Sequence, residues 1–247
     1  MRRYVVACRT QREQLPVVAA AGLKYVEIDI VPESEVASLK GTLTDLGLVA
    51  SSVVVRMDIN SDAGIAHLPS AFSVVEQLGA SVVFTSVSAN ESEPEAAIQR
   101  LRRVGDLAKE HGLTVALETH RNLAENSQVQ LRTMSAVDHE NIRINFDTGN
   151  IYYYNRGLDA VSELSHALPY VASLHLKDTM GEYESFDFPP LGQGIVDFPG
   201  VFNLLDHWRF DGPLTMELEG PIIQELGLAK ALEVSISYLK DLGLVIP

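Results

Sequence analysis

The chain has 247 residues, of which 46% are hydrophobic, and its 19 Lys and Arg against 33 Asp and Glu give a formal charge of −14 at pH 7. A surface this acidic repels polyphosphates at long range, so nucleic acid and anionic membranes are excluded as expected partners. The single cysteine, Cys8, cannot form an internal disulfide, the opening apolar run is too short for a signal peptide, and no later run approaches membrane-spanning length; we therefore expect a soluble cytoplasmic protein with a buried thiol.

One phrase recurs through the first half of the chain: a helical stretch, a glycine and then a β-rich run, as around Gly79 and Gly112. Glycine just past a helix takes a left-handed backbone without a Cβ clash, so the phrase is typical of the junction between a helix and the next strand. Eight strands alternating with helices are predicted at residues 3–8, 24–30, 48–55, 81–87, 113–119, 142–147, 171–177 and 214–219. A last amphipathic helix is predicted over residues 225–242.

This alternation predicts an α/β protein, a (β/α)8 barrel formed by one domain spanning residues 1–247. An open doubly wound sheet is the alternative, but that fold needs a glycine-rich phosphate turn after its first strand, and Thr10-Gln-Arg-Glu13 stands there instead. No Pro- or Ser-rich linker divides the chain. The longest unpatterned stretch, residues 179–196, follows the seventh strand, and we expect it to lie on the catalytic face of the barrel.

Four consecutive strands end in polar residues. Because side chains alternate along a strand, the apolar residue before each of these faces the helices, and the polar residue faces the barrel interior. The four interior residues are Glu118, Asp147, His175 and Glu217. Acidic residues at strand ends often only cap the next helix, which is an equal alternative for any one of them. Their occurrence on four adjacent strands instead predicts one shared polar site.

Three carboxylates converging in a partly dry pocket repel one another strongly. A divalent cation removes that conflict, and three oxygen donors with one imidazole suit Mn²⁺, Mg²⁺, Co²⁺ or Zn²⁺. The sequence therefore predicts one divalent metal ion, with Mn²⁺ favoured.

The chain resembles the xylose-isomerase-like TIM barrel superfamily, which includes sugar phosphate isomerases, ketose 3-epimerases, inosose dehydratases and, more distantly, endonucleases of the AP endonuclease family 2 type. The resemblance covers nearly the whole chain and is strongest from Leu113 onward. It is carried by Leu117-Glu-Thr-His120, Asn145-Phe-Asp-Thr-Gly-Asn150, Leu174-His-Leu-Lys-Asp178, Leu191-Gly-Gln-Gly-Ile-Val-Asp-Phe198 and Met216-Glu-Leu-Glu-Gly220. It implies that the four interior residues are the metal ligands. It also implies that Glu118 and Glu217 are the catalytic acid–base pair, and that the protein can form a homodimer.

Four further residues are candidates for substrate binding. Asn150 stands where many relatives have histidine, and its amide can hydrogen-bond a sugar hydroxyl. Glu219 shares the strand face of Glu217, so either could bind the metal; Glu217 is preferred as the ligand, which leaves Glu219 for substrate. His120 could contact substrate or be a loop histidine bonded to a carboxylate. Lys177 could hold a substrate oxygen or form a structural ion pair with Asp147 or Glu217.

Such a site suits an isomerase or epimerase that acts on a small keto or aldo sugar, phosphorylated or not, through an enediolate that the metal stabilises. A lyase or dehydratase that acts on a keto-sugar, keto-polyol or keto-glycoside is the alternative, because the same enediolate can expel a neighbouring oxygen. A nuclease or a non-catalytic metal-binding module ranks third. A repair nuclease would need more histidine ligands and a basic groove, and the acidic composition disfavours the latter.

Overall fold

Eight parallel strands form a closed barrel in which each strand pairs with its neighbours in chain order. The structure is a computed structural model that describes residues 2–90 and 92–246. The strands are β1 (Val6–Thr10), β2 (Tyr25–Asp29), β3 (Val49–Val54), β4 (Val82–Thr85), β5 (Thr114–Glu118), β6 (Ile142–Asp147), β7 (Val171–Leu176) and β8 (Leu214–Met216). Pairing of β8 with β1 closes the barrel. The predicted (β/α)8 fold is confirmed, and the open sheet is excluded.

Helices surround the barrel and connect successive strands. They are α1 (Leu15–Ala20), α2 (Val36–Asp45), α3 (Leu68–Leu78), α4 (Pro94–Glu110), α5 (Ser127–Val137), α6 (Asn150–Tyr154), α7 (Ala160–Ala167), α8 (Phe198–Trp208), α9 (Pro221–Leu226) and α10 (Leu228–Asp241). Gly79 follows α3 with φ of 80°, as the recurring glycine phrase predicts. Within residues 2–90 and 92–246, no helix is both long enough and apolar enough to cross a bilayer.

The core lies between the barrel and the helix layer. The apolar residue that precedes each interior site residue is fully buried in this core: Leu117, Phe146, Leu174 and Met216. Cys8 also packs there with no exposed surface, so the predicted buried thiol is confirmed. Because the outward side chains form the apolar core, the inward ones are free to be polar at the carboxyl end of the barrel.

Three predicted elements differ from the structure by more than small shifts at their ends. The first strand lies further along than residues 3–8, because Arg9 and Thr10 continue the ladder with β2. The eighth strand ends at Met216 rather than at residue 219. The predicted last helix is broken into α9 and α10 at Gly227, whose φ of 83° is not helical.

Candidate metal centre

Glu118, Asp147, His175 and Glu217 converge in the barrel interior at the carboxyl ends of their strands. One donor atom from each residue lies within 4.8 Å of the donor atoms of the other three. All four side chains are buried, and Glu118 has the largest exposed fraction, 7%. The convergence expected from strand alternation is therefore present, and the four groups share one desolvated space.

Asp147 uses its two carboxylate oxygens differently. Oδ1 accepts hydrogen bonds from the backbone amides of Gly149 at 2.9 Å and Asn150 at 2.8 Å, at the beginning of α6. Oδ2 is buried and makes no hydrogen bond to any group in the described part of the chain; its nearest cation is the Lys177 ammonium, at 3.1 Å. A buried carboxylate oxygen held in place but left without a hydrogen bond is suited to binding a cation.

His175 is held from both sides of its ring. Its Nε2 lies 2.9 Å from Oε1 of Glu27 on β2, and the other oxygen of Glu27 accepts a 2.7 Å hydrogen bond from the hydroxyl of Ser52. The ring stacks on Phe84, with the two ring centroids 4.4 Å apart. Nδ1 therefore points toward the carboxylates, 3.2 Å from Oε2 of Glu217.

Lys177 places its ammonium among the same carboxylates. Its Nζ lies 2.6 Å from Oε2 of Glu217, 3.1 Å from Oδ2 of Asp147 and 2.8 Å from Oε1 of Glu219. The stem passes so close to Gly149 that a Cβ at that position would lie 2.7 Å from Cγ of Lys177. Lys177 thus forms the structural ion pairs expected as one of its two roles, and its head group also borders the cavity above the site.

Burial and mutual repulsion set the charges of the cluster. Burial, with the nearby charge of Glu217, raises the pKa of Glu118 to about 7. Burial likewise raises the pKa of Asp147 to about 6, although Lys177 opposes the shift. Burial alone would raise the pKa of Glu217, but the charges of Lys177 and His175 hold it well below its usual range. The cluster thus has an excess of acidic groups, and a bound cation would reduce the repulsion between them.

The residues present fit a divalent ion. Three carboxylates and one imidazole form the mixed oxygen and nitrogen donor set that such ions take in proteins. Oδ2 of Asp147 is buried without a hydrogen bond, and the same carboxylates already hold the positive charge of Lys177. On the Nε2 side of the His175 ring, the Glu27 carboxylate matches the arrangement that commonly orients a metal-binding histidine. The cluster can therefore bind a metal ion.

Glu118 is oriented by two neighbouring polar side chains. The hydroxyl of Ser86 donates to Oε2 of Glu118, and the Asn150 amide nitrogen lies 3.3 Å from Oε1. Asn150 also contacts the Lys177 ammonium through its own carbonyl oxygen, at 3.3 Å. Asn150, a candidate substrate-binding residue, is thus buried between the two charged groups and keeps them in position.

The other two candidates lie further out. Nδ1 of His120 is 3.9 Å from Glu118, and its hydrogen bond, of 2.7 Å, goes to the hydroxyl of Tyr154 rather than to a carboxylate. Burial and the charge of Arg121 lower the pKa of His120, which favours its neutral form. Glu219 is 45% exposed and stands outside the four-residue cluster, so the geometry favours Glu217 over Glu219 as the donor from the eighth strand.

A cavity of about 230 Å³ lies directly above the cluster, and we call it the inner cavity. Its polar side is formed by the site residues, and its other side is an aromatic wall made of Tyr153, Tyr154, Phe186 and Phe188. Phe186 and Phe188 belong to the loop between β7 and α8. The long loop predicted after the seventh strand is therefore on the site's face of the barrel and covers part of it.

That loop is anchored by Asp178. Its Oδ2 accepts hydrogen bonds from the amides of Gly192 at 2.9 Å and Gly194 at 2.8 Å, and its Oδ1 accepts from Thr179 and Val196. A Cβ at position 194 would lie 2.3 Å from Oδ1 of Asp178, so only glycine permits this approach. Asp178 thus supports the site by holding in place the loop that covers part of it.

Sequence reasoning missed Arg9 and Ser86 and left Glu27 without a role. Arg9 donates to Glu217, and its guanidinium carbon lies 5.0 Å from the ring centroid of Phe84. The predicted first strand stopped at residue 8, so Arg9 was excluded from the interior. Continued alternation from Ala7 would have placed it there.

Comparisons with known proteins agree with this architecture. A family model described as "Xylose isomerase-like TIM barrel" matches residues 15–242. An inosose dehydratase of Clostridium perfringens is 27% identical over 171 residues, which are 62% of this chain and 56% of that protein. The chain thus spans about half the length of the curated relatives it matches.

Solved structures match over nearly the whole chain. The D-allulose 3-epimerase of Methylomonas sp. in complex with D-allulose has a TM-score of 0.76 at 19% identity, with 98% of each chain covered. The IOLI protein with a binding zinc atom has a TM-score of 0.79 at 17% identity, and the match covers 96% of this chain and 97% of that one. At these identities, the likeness concerns the fold.

Proposed function

Because the chain belongs to the xylose isomerase-like TIM barrel family, we propose that it is a metal-dependent enzyme that transfers a proton at the carbon beside the carbonyl group of a sugar. In the favoured form it is an isomerase or epimerase of a keto or aldo sugar. The observation that carries the proposal is the buried cluster of Glu118, Asp147, His175 and Glu217 below a cavity open to small molecules.

Those four residues would hold the ion, with Mn²⁺ favoured. When bound, such an ion supplies Lewis-acid stabilisation of the negative charge that develops on substrate oxygens as the α-proton leaves. Glu118 and Glu217 both line the inner cavity, so each can exchange a proton with a substrate seated there. Ser86 and Asn150 keep the Glu118 carboxylate in position, and Lys177 and Arg9 do the same for Glu217.

The aromatic wall and the loop serve the reaction by excluding water. Phe188 packs beneath the Lys177 ammonium, with Nζ 4.8 Å from the ring centroid. Phe186 packs edge-on against Tyr153, with ring centroids 5.0 Å apart. A substrate enclosed by these rings would lie in a low-dielectric space, where charge interactions with the site are stronger.

The relatives support a sugar or polyol substrate. The Methylomonas protein is named a D-allulose 3-epimerase and is seen with D-allulose, and the Clostridium perfringens relative is named an inosose dehydratase. Both names describe molecules that carry a carbonyl next to hydroxylated carbons, which is the arrangement that an enediolate mechanism requires.

A lyase is the second candidate, and one observation favours it. The similar curated sequences include inosose dehydratases from several bacteria, such as Clostridium perfringens and Geobacillus thermodenitrificans. In a dehydratase, the same proton removal is followed by loss of a hydroxide from the next carbon instead of reprotonation. The residues of the cluster serve both outcomes equally.

Proton NMR in deuterated water tests the proposal and separates the two forms. The purified chain is incubated with ketoses and inososes in the presence of MnCl₂, and parallel samples contain excess chelator. An isomerase or epimerase incorporates deuterium at the α-carbon without losing water, whereas a dehydratase yields an unsaturated or deoxygenated product. The proposal fails if neither change occurs with any substrate, or if chelator leaves the rate unchanged.

A further inference from the structure

A second cavity opens beside the metal centre, and we call it the outer cavity. Its volume is about 500 Å³, against about 230 Å³ for the inner cavity. The two cavities share Arg9, Glu217 and Glu219 as lining residues. A molecule seated over the cluster can therefore extend past Arg9 into the larger space without leaving the barrel mouth.

Three glutamines, Gln11, Gln14 and Gln224, are among the residues that line the outer cavity, and all three are exposed to solvent. None of the side-chain hydrogen bonds among residues 2–90 and 92–246 uses the amide of Gln11 or Gln224, and Gln14 has only a 3.4 Å contact from Thr10. A primary amide both donates and accepts hydrogen bonds, as a hydroxyl does. Free amides around a cavity therefore match a ligand that carries many hydroxyl groups.

The charges of the outer cavity do not suit a phosphate. Its two guanidinium groups are already paired, Arg9 with Glu217 and Arg56 with Asp29, whose oxygen is 3.3 Å from Nη1. Glu219 in the same lining is likewise already paired, with the Lys177 ammonium at 2.8 Å. A phosphate needs cationic donors that are not already neutralised, so a neutral ligand fits this lining better.

We infer that the outer cavity binds a second, uncharged sugar unit of the substrate, so that the enzyme acts on a keto-sugar carrying a glycosidic substituent and not on a sugar phosphate. This inference rests on the proposed function, because the reacting keto-sugar unit occupies the inner cavity. The apolar lining of the outer cavity, Ile223 and Leu228 among it, offers the C–H face of a sugar ring a surface to pack against.

Fructose, its glucosides and its 6-phosphate test the inference with one reacting unit held constant. D-Fructose, its glucosyl derivatives linked at each oxygen except the anomeric one, and D-fructose 6-phosphate are titrated into the full chain with excess MnCl₂, and dissociation constants are measured by calorimetry. Two or three amide-to-hydroxyl hydrogen bonds should make at least one glucosyl-fructose bind about tenfold more tightly than fructose. The 6-phosphate should bind no more tightly than fructose.

Substitution of the free amides locates the effect. In the double variant Gln11→Ala/Gln224→Ala the preference for the glucosyl-fructose over fructose should disappear. The matched control Gln99→Ala/Gln128→Ala removes two exposed glutamine amides from α4 and α5 that line neither cavity, and it should keep the preference.

The inference is overturned if no glucosyl-fructose binds more tightly than fructose, or if the 6-phosphate is the tightest ligand. It is also overturned if the preference survives the double variant. Failure of the proposed function looks different, since the disaccharide would then bind with the expected preference while no sugar exchanges its α-proton in deuterated water.

Discussion

Nε2 of His175 and Oε1 of Glu27 lie 2.9 Å apart across the barrel, and both side chains are buried. With Nε2 turned toward this carboxylate, Nδ1 faces Asp147 and Glu217 and is the nitrogen that could bind a metal ion once the ring has lost a proton. Ser52 holds the second oxygen of Glu27 and keeps the carboxylate from turning away. This chain of contacts sets which nitrogen of His175 can bind a metal ion.

Glu27→Gln should weaken Mn²⁺ binding, because the neutral amide supports the ring less strongly than a carboxylate. Loss of such a supporting group typically lowers metal affinity roughly 10- to 100-fold. Competition with a fluorescent chelator measures the change. The exposed Glu95→Gln on α4 is the matched control and should bind Mn²⁺ like the wild type. Unchanged affinity in Glu27→Gln would show that this carboxylate does not support a metal ligand.

Glu118→Gln should abolish turnover while preserving the fold. Gln has the same shape and can still meet Ser86 and Asn150, but it cannot accept or return a proton at the substrate. General acid–base groups contribute on the order of 100- to 10,000-fold to rate, so a loss of that size is expected in the deuterium exchange assay. Circular dichroism checks the fold, and full activity in this variant would rule out Glu118 as the proton carrier.

Lys177→Met should destabilise the metal-free protein more than the Mn²⁺-loaded protein. Lys177 is buried and contacts Asp147 and Glu217, so its removal leaves acidic groups without their balancing charge. Breaking a buried ion pair typically costs about 3–5 kcal/mol of unfolding free energy. A bound divalent ion would restore the balance and reduce that loss.

Urea unfolding with and without MnCl₂ measures the difference. Lys230→Met breaks an exposed pair with Glu233 and serves as the control, with an expected change below about 1 kcal/mol in both conditions. An equal loss for Lys177→Met in the presence and absence of the ion would mean that the ammonium and the metal do not share the same carboxylates.

Asp178→Asn should loosen the loop between β7 and α8. Each oxygen of Asp178 accepts two backbone N–H groups, so an amide in either orientation would turn its own N–H₂ toward two donors. An unsatisfied contact of this kind lowers the free energy of opening the loop by about 1–3 kcal/mol. Amide hydrogen exchange in the loop should therefore become roughly tenfold faster or more. Asp187→Asn, in the same loop but exposed, should leave exchange outside its own turn unchanged. Equal protection in the two variants would contradict the anchoring role.

The barrel and the polar ends of its last four strands could be predicted from the sequence because both depend on local patterns. The helix–glycine–strand phrase marks the repeat, and the alternation around Glu118, Asp147, His175 and Glu217 assigns each side chain to a face without knowledge of its neighbours. The barrel then brings those faces together.

The contacts across the barrel could not be predicted in the same way. Glu27 on β2 and His175 on β7 are 148 residues apart, and nothing local to either residue indicates their contact. The interior position of Arg9 was missed for a different reason. Polar residues at the end of β1 resemble the start of a loop, although polar strand ends are what the interior of this barrel requires. The position of Lys177 depends on a long side chain and on the gap left by Gly149, which only the folded structure shows.

The most direct test of the proposed metal centre is a count of Mn²⁺ ions bound by the purified chain, made by electron paramagnetic resonance during a titration. Asp147→Asn is titrated alongside the wild type, because it neutralises the carboxylate whose Oδ2 lacks a hydrogen bond among the described residues. One tightly bound ion per wild-type chain, lost or strongly weakened in a folded Asp147→Asn, is the expected result. No specific ion in the wild type, or equal binding by both proteins, would contradict the assignment of this cluster as the metal centre.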